Sequence, residues 1–256
     1  MSRVDERSTP VLEVRGARKS FGAVQALAGA DLVVRAGEVV ALLGDNGAGK
    51  STLIKAMTGV HRIDEGEILV DGEPVTFRSP ADSRALGIET VYQDLAVFDN
   101  LAARANFFVG RERTRPRWMG RLGFLREGDM TREWEQHIED LRVVIPDPEQ
   151  PLGVMSGGQR QAIAVARAAA FADRVLILDE PTAALGVRES RQVLDLVKRL
   201  PERGIAVVLI SHNLEHVMEV ADRAVVLRRG RNVGEERPTP ENHERIVSLI
   251  VGAQYA

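Results

Sequence analysis

Apolar and polar positions change their rhythm along the 256 residues, and each change marks a region. Val11–Arg15 alternates weakly, as a half-buried strand does. Leu32–Arg35 and Glu38–Leu43 flank Ala36-Gly37, so a hairpin is expected there. Gly66–Val70, Asp71-Gly72 and Pro74–Phe77 read as strand, turn and strand. Val39–Leu43 is apolar at every position, the mark of a strand covered on both faces of a parallel sheet. Lys50–Thr58 then has helical character and stops at Gly59. From Asp94 to about Gln150 the pattern turns helical. Trp134, Ile138 and Leu141 share one helix face, and Thr131 is placed to cap the start of that helix. Pro146, Pro148 and Pro151 break it into an extended linker. Strand–helix alternation resumes with strands Val175–Leu178, Ile205–Ile210 and Ala224–Leu227. Helices Glu189–Leu200 and Leu214–Ala221 lie between them, and a turn follows at Arg229-Gly230.

The expected fold is α/β, with a mainly parallel core sheet, an N-terminal antiparallel β subdomain and an inserted helical subdomain. Residues 11–93 and 171–231 form the core, about 94–170 the helical subdomain and 232–256 a C-terminal tail. Hydrophobic residues at 44% suffice for a core of that size. A net charge of -3 gives no general attraction to nucleic acid, and none is expected as a partner. The absence of cysteine excludes disulfides, thiolate metal sites and a thiol nucleophile. No window reaches the roughly 18 consecutive apolar residues of a membrane span, so any membrane role runs through a partner.

Candidate chemistry begins after the buried strand. Gly44-Asp45-Asn46-Gly47-Ala48-Gly49-Lys50-Ser51 matches G-x-x-x-x-G-K-[ST] in its required setting, strand before and helix after. Glycines let backbone wrap phosphates, and the loop N–H groups with the helix N-terminus supply partial positive charge. Lys50 reaches the β- and γ-phosphates, the Ser51 hydroxyl is suited to Mg²⁺, and Thr52 donates to a phosphate. This pattern indicates a P-loop NTPase core that takes a nucleotide with Mg²⁺, and by itself does not say which kind of NTPase. The run Val175–Leu178 ends in Asp179-Glu180, at the strand end where parallel sheets place ligands. Neighbouring strand residues face opposite ways. Asp179 is therefore assigned to the metal and Glu180 to a general base or water-orienting role. Ser156-Gly157-Gly158-Gln159 opens an alanine-rich helix and makes a second anion-binding helix tip, unless Ser156 is an ordinary cap.

Met155-Ser156-Gly157-Gly158-Gln159 resembles the signature usually written LSGGQ of ABC ATPases. The order phosphate loop, Gln93, MSGGQ, LILDE, His212 is similar to that family from about Leu12 to Arg231. The resemblance implies an adenine-stacking role for Phe21. It places Gln93 where the family contacts Mg²⁺ and water and senses the membrane partner, and His212 where a histidine contacts the γ-phosphate. It further implies a head-to-tail homodimer, each ATP lying between the phosphate loop of one copy and Ser156–Gln159 of the other. Gly186 departs from the family, in which many members carry aspartate there.

GDNGAGKST, VYQDLAVFDNL and DEPTAALGV together resemble the ATPases of bacterial ribose/xylose/fructose-type importers. That implies transmembrane permease subunits as partners, a periplasmic sugar-binding protein indirectly, and a place on the cytoplasmic side of the inner membrane. Many such ATPases carry two fused halves; this chain carries one, so two copies per transporter are expected. Arg111, Arg113, Arg115, Arg117, Arg121 and Arg126 crowd one stretch around Trp118 and Phe124, which reads first as an ordinary solvated surface; as a binding surface, the resemblance, which puts the helical subdomain near the membrane partner, favours a membrane-proximal role over a nucleic-acid one. Two other classes are weighed. A soluble ABC ATPase acting on nucleic acid or ribosomes would be expected to carry a second half or a coiled-coil insertion. A P-loop kinase leaves MSGGQ and His212 unexplained.

Overall fold

The computed structural model of the chain describes residues 9–115, 123–145, 147–183 and 185–252. Arg117, Trp118, Arg121 and Pro146, named above, and Ala184, the second alanine of DEPTAALGV, lie outside them. In the N-terminal part β1 (Leu12–Phe21) turns back at Gly22-Ala23 into β2 (Val24–Val34). β3 (Val39–Leu43) leads into α1 (Lys50–Met57). β4 (Glu65–Val70) and β5 (Glu73–Val75) form a hairpin, followed by α2 (Pro80–Ala85) and β6 (Ile88–Val91). The middle holds α3 (Ala103–Phe108), the two-residue strands β7 (Thr114–Arg115) and β8 (Phe124–Leu125), α4 (Glu127–Leu141) and α5 (Gly157–Phe171). The last third runs β9 (Val175–Asp179), α6 (Val187–Arg199), β10 (Ala206–Ile210), α7 (Leu214–Val220), β11 (Arg223–Arg228), β12 (Arg231–Glu236) and α8 (His243–Val251).

Two sheets divide these strands. One is antiparallel, in the order β2-β1-β4-β5. The other runs β12-β11-β3-β10-β9-β6, parallel except for the edge strand β12. Every residue of β3 and β10 is buried, as central strands covered on both faces must be. α5 and α6 cover one face of the parallel sheet with an apolar cluster around Val165, Leu176, Leu178 and Val197. On the other side α1 fills the space against β1, β2 and β3 through Leu53, Ile54 and Met57.

The hairpin expected at Ala36-Gly37 does not form. Both edges of β3 are occupied, by β10 and β11, so β2 pairs with β1 in the other sheet. The chain crosses between sheets at Gly37, whose φ of 68° makes the turn. Thr131 does not cap a helix. α4 starts four residues earlier, and the Thr131 hydroxyl bonds back to the Glu127 carbonyl at 2.9 Å. Past Arg231 the chain continues the fold: β12 closes the sheet edge, and Ile246 of α8 is buried beside Leu43 and Val217.

The segment between β6 and β9 builds its own core. Phe107 packs edge-on to Phe108 and Trp134, with ring centroids 5.2 and 5.0 Å away, and lies against Phe171 at 5.3 Å. Met155, at the foot of α5, joins the same cluster. That core is tied to the parallel sheet by buried Glu89 of β6, which is ion-paired with Arg111, while the Arg111 guanidinium lies 4.2 Å from the Phe171 ring centroid. Three arginines of the stretch 111–126 are occupied this way: Arg111 by Glu89, Arg113 by Glu133 at 2.5 Å, and Arg126 by Asp129.

Candidate functional site

Parallel strands end on one edge of a sheet, and the loops there face a common space. β3 ends at Leu43, β10 at Ile210, β9 at Asp179 and β6 at Val91, with Leu209 beside Ala41, Ile210 beside Asp179 and Leu178 beside Val91. That register brings Gly44–Thr52, Ser211-His212, Asp179-Glu180 and Gln93 to the same edge.

The phosphate loop is held from outside. The Ala48 N–H donates to the Asp45 carbonyl at 3.1 Å, and the Asn46 N–H to Asp45 Oδ1 at 2.7 Å. Gly230, in the β11–β12 turn, donates to the Ala48 carbonyl and accepts from the Ala28 N–H, both at 2.8 Å, so one residue fastens loop to antiparallel sheet. Gly49, the N-cap of α1, has φ 108°, and a Cβ there would lie 2.7 Å from the Ala26 carbonyl oxygen. A Cβ on Gly44, at φ 145°, would overlap the Leu227 carbonyl oxygen. The Lys50 ammonium turns back to the carbonyls of Gly44 and Asp45, at 2.6 and 3.1 Å. Burial lowers its pKa, opposed by the charges of Glu180, Asp179 and Asp45. Asp45, Asn46, Gly47 and Ser51 are exposed, and Thr52 is half-buried.

Asp179 closes β9, with its pKa raised by burial against the pull of Lys50, His212 and Lys55. Strand alternation does not set the direction of Glu180. The chain leaves the strand there in the left-handed conformation, φ 53°, with the Glu180 N–H donating to the Ile210 carbonyl at 3.0 Å. That conformation costs a non-glycine residue about 1–3 kcal/mol. His212 Nε2 lies 3.3 Å from Glu180 Oε1, and the buried Oε1 has no hydrogen-bond donor among the described residues. Burial raises the Glu180 pKa, and the nearby His212 opposes it.

Phe21 ends β1 with 44% of its surface exposed, supported edge-on by His61 with centroids 5.1 Å apart and by Lys19 at 5.5 Å. Gln93 is exposed, two residues beyond β6. The preceding Tyr92 bonds through its hydroxyl to Thr58 Oγ1 at 2.7 Å, tying that loop to the end of α1. Neither Tyr92 nor Thr58 stood out in the sequence, where each reads as an ordinary core-edge residue.

Ser156 caps α5. Its Oγ accepts from the Gln159 N–H at 3.2 Å, while the Ser156 N–H donates to Gln159 Oε1 at 2.9 Å. Gln159 is thus turned back into its own helix end, and Ser156 and Gly157 form the exposed tip. Gly158 is buried against α6: a Cβ there would lie 2.9 Å from Glu189 Cβ and overlap its Cγ. Glu189 Oε2 would also meet a Cβ on Gly186 at 2.7 Å. Among the described residues no hydrogen bond or ion pair joins Ser156–Gln159 to Gly44–Thr52. The two helix tips are therefore not joined into one cradle within the chain.

Hard oxygen donors stand at the sheet edge: the Asp179 carboxylate, the Ser51 hydroxyl and the Gln93 amide. No group of three or more metal-binding His, Cys, Asp or Glu occurs among the described residues. That set suits Mg²⁺, which keeps several waters and takes one or two protein oxygens plus substrate phosphates in place of an all-protein cage. No helix among the described residues is long and apolar enough to cross a membrane.

The family described as ABC transporter matches residues 27–183. A xylose/arabinose import ATP-binding protein of Sulfolobus acidocaldarius is 46% identical over 94% of this chain and 93% of its own length. A fructose import ATP-binding protein of Rhizobium meliloti is also 46% identical, over 96% of this chain and 95% of its own. Among solved structures, a nucleotide-free ATP-binding cassette from an ABC transporter superposes with a TM-score of 0.81 at 25% identity, covering 94% of this chain and 97% of that one.

Proposed function

Because this chain belongs to the ABC transporter family of ATP-binding subunits, which bind and hydrolyse ATP, we propose that it is the motor subunit of a sugar importer, with the loops at the carboxyl edge of the parallel sheet as its nucleotide site. The observation that carries the site assignment is the convergence on that edge of the Gly44–Thr52 loop, Asp179-Glu180, His212 and Gln93. Sugar as the cargo class is supported by two relatives whose names specify sugar import and which match this chain over nearly their whole lengths.

In this reading the loop N–H groups and Lys50 hold the phosphates, and Phe21 stacks on adenine. Asp179, Ser51 and Gln93 hold Mg²⁺, which when bound neutralises charge on the phosphates. Glu180 orients the attacking water and accepts its proton at a carboxylate oxygen, with His212 beside it toward the γ-phosphate. The exposed Ser156-Gly157 tip offers its anion-binding helix end to the nucleotide of a second copy, which makes a homodimer the working unit. Permease subunits bring the pair to the cytoplasmic face of the membrane, and a periplasmic sugar-binding protein delivers cargo to the other side. Glu180→Gln is expected to bind ATP with unchanged affinity and to lose about 100-fold or more of turnover, since general-base catalysis contributes about 10²–10⁴. Phosphate release at the parental rate would sink the assignment.

A further inference from the structure

One hydrogen bond outside the residues assigned above joins two loops that both carry them. Thr182, two residues past Glu180, is buried, and its Oγ1 lies 3.1 Å from His216 Nδ1 on α7. Thr182 belongs to the turn that Glu180 opens: the Ala183 N–H donates to the Glu180 carbonyl at 3.2 Å, and the Leu185 N–H to the Thr182 carbonyl at 3.3 Å. His216 belongs to the first turn of α7. Its N–H and that of Glu215 donate to Asn213 Oδ1, at 3.2 and 2.9 Å. Asn213 follows His212, which returns to Glu180 Oε1 at 3.3 Å. The contacts close a ring through Glu180, Thr182, His216, Asn213 and His212.

We propose that Thr182 and His216 are positioning residues for hydrolysis, their hydrogen bond holding the Glu180 turn and the His212 loop at a fixed separation. The inference rests on the roles proposed for Glu180 and His212. A left-handed glutamate persists only where its surroundings over-determine it. The Ile210 carbonyl fixes its backbone from the strand side, and Thr182 fixes the turn from the α7 side. The tether holds through a change of ring protonation, because a hydroxyl accepts from a protonated Nδ1 and donates to a bare one. Glu215 and Glu219 also lie on α7, and Glu219 is paired with Lys198 and Arg191 of α6 at 2.7 and 3.4 Å. The bond therefore acts as a brace and not as a pH switch.

The test is steady-state hydrolysis of Mg-ATP by the full chain, with unfolding midpoints recorded for each variant. Thr182→Val, which keeps shape and removes the hydroxyl, and His216→Phe are each expected to lower kcat about three- to tenfold, the order of one lost hydrogen bond. KM for ATP should stay unchanged. Thr182→Ser should restore the rate, and the double variant should be no slower than the slower single, since a shared bond is lost once. A parental kcat in Thr182→Val, losses that multiply in the double variant, or a Thr182→Ser as slow as Thr182→Val would overturn the brace. Glu180→Gln measured alongside separates the two levels. If it turns over normally, the site reading itself falls; if it is inactive while Thr182→Val is normal, only the brace falls.

Discussion

At Gly49 one backbone angle decides whether a phosphate loop exists. Its φ of 108° lies where L side chains rarely go, and a Cβ would press on the Ala26 carbonyl and, at 3.1 Å, on Leu27 Cδ2. Gly49→Ala should lower stability by about 1–3 kcal/mol and weaken ATP binding at least tenfold. Thermal melting and equilibrium titration with a fluorescent ATP analogue check both halves, and a variant that binds normally contradicts the steric argument. Residues of this kind were legible in the sequence, because chemistry fixes their spacing: a glycine-rich wrap must be followed directly by lysine and a hydroxyl. The conformation of Glu180 was not legible. Period-2 reasoning ends where the strand ends, and what turns Glu180 is a carbonyl on the neighbouring strand, 30 positions away in the chain. Thr182 and His216 escaped for the same reason, since neither carries a local signal and their meeting is set by how α7 docks.

Elements are placed here by partners distant in sequence. Glu38, just before β3, is buried and bonds Arg223 at the start of β11 at 2.8 Å, while the Val39 N–H donates to Asp222 Oδ2 at 2.9 Å. Arg223 also reaches Glu235 of β12 at 2.9 Å. This junction aligns the strand that feeds the phosphate loop. Glu38→Ala removes one of the two carboxylates that the half-buried Arg223 guanidinium pairs with and should cost about 1–3 kcal/mol, read from the urea midpoint; a loss under about 0.5 kcal/mol would show the junction to be dispensable. Patterns confined to one element were legible: the apolar runs of β3, β9 and β10, and the Trp134–Leu141 face of α4. Pairings between elements were not. The sequence signal at Ala36-Gly37 is a genuine turn, but turn chemistry does not say which sheet the next strand joins. The full length of β1 and β2 was hidden because the outer half of β1 is polar, that of β2 is rich in alanine and glycine, and their register shifts at bulges.

Across the whole molecule, two helix tips stand apart, one behind Gly49 and one at Ser156, and in the proposed reading they serve separate nucleotides. Ser156→Arg should leave ATP binding by the single chain intact and abolish ATP-driven dimerisation, followed by light scattering in the Glu180→Gln background to suppress turnover. Unchanged dimerisation would contradict the shared site. Met155 joins the Ser156 tip to the Phe107–Trp134–Phe171 core, and Glu89 with Arg111 ties that layer to the sheet. α/β architecture was readable from the alternation of runs, whereas the place of α8 on the core was not, because the apolar face of Ile246, Leu249 and Ile250 does not say which surface it covers.

Glu189 touches both Gly158, inside the signature stretch, and Gly186, where the family often has aspartate. Its side chain occupies the room a larger residue at either position would need, and an acid at 186 would set two like charges face to face. Gly158 is the stricter of the two positions: a side chain there would meet the Cβ and Cγ of Glu189, close to the α6 backbone, whereas one at 186 would meet the carboxylate tip, which a rotamer change carries aside.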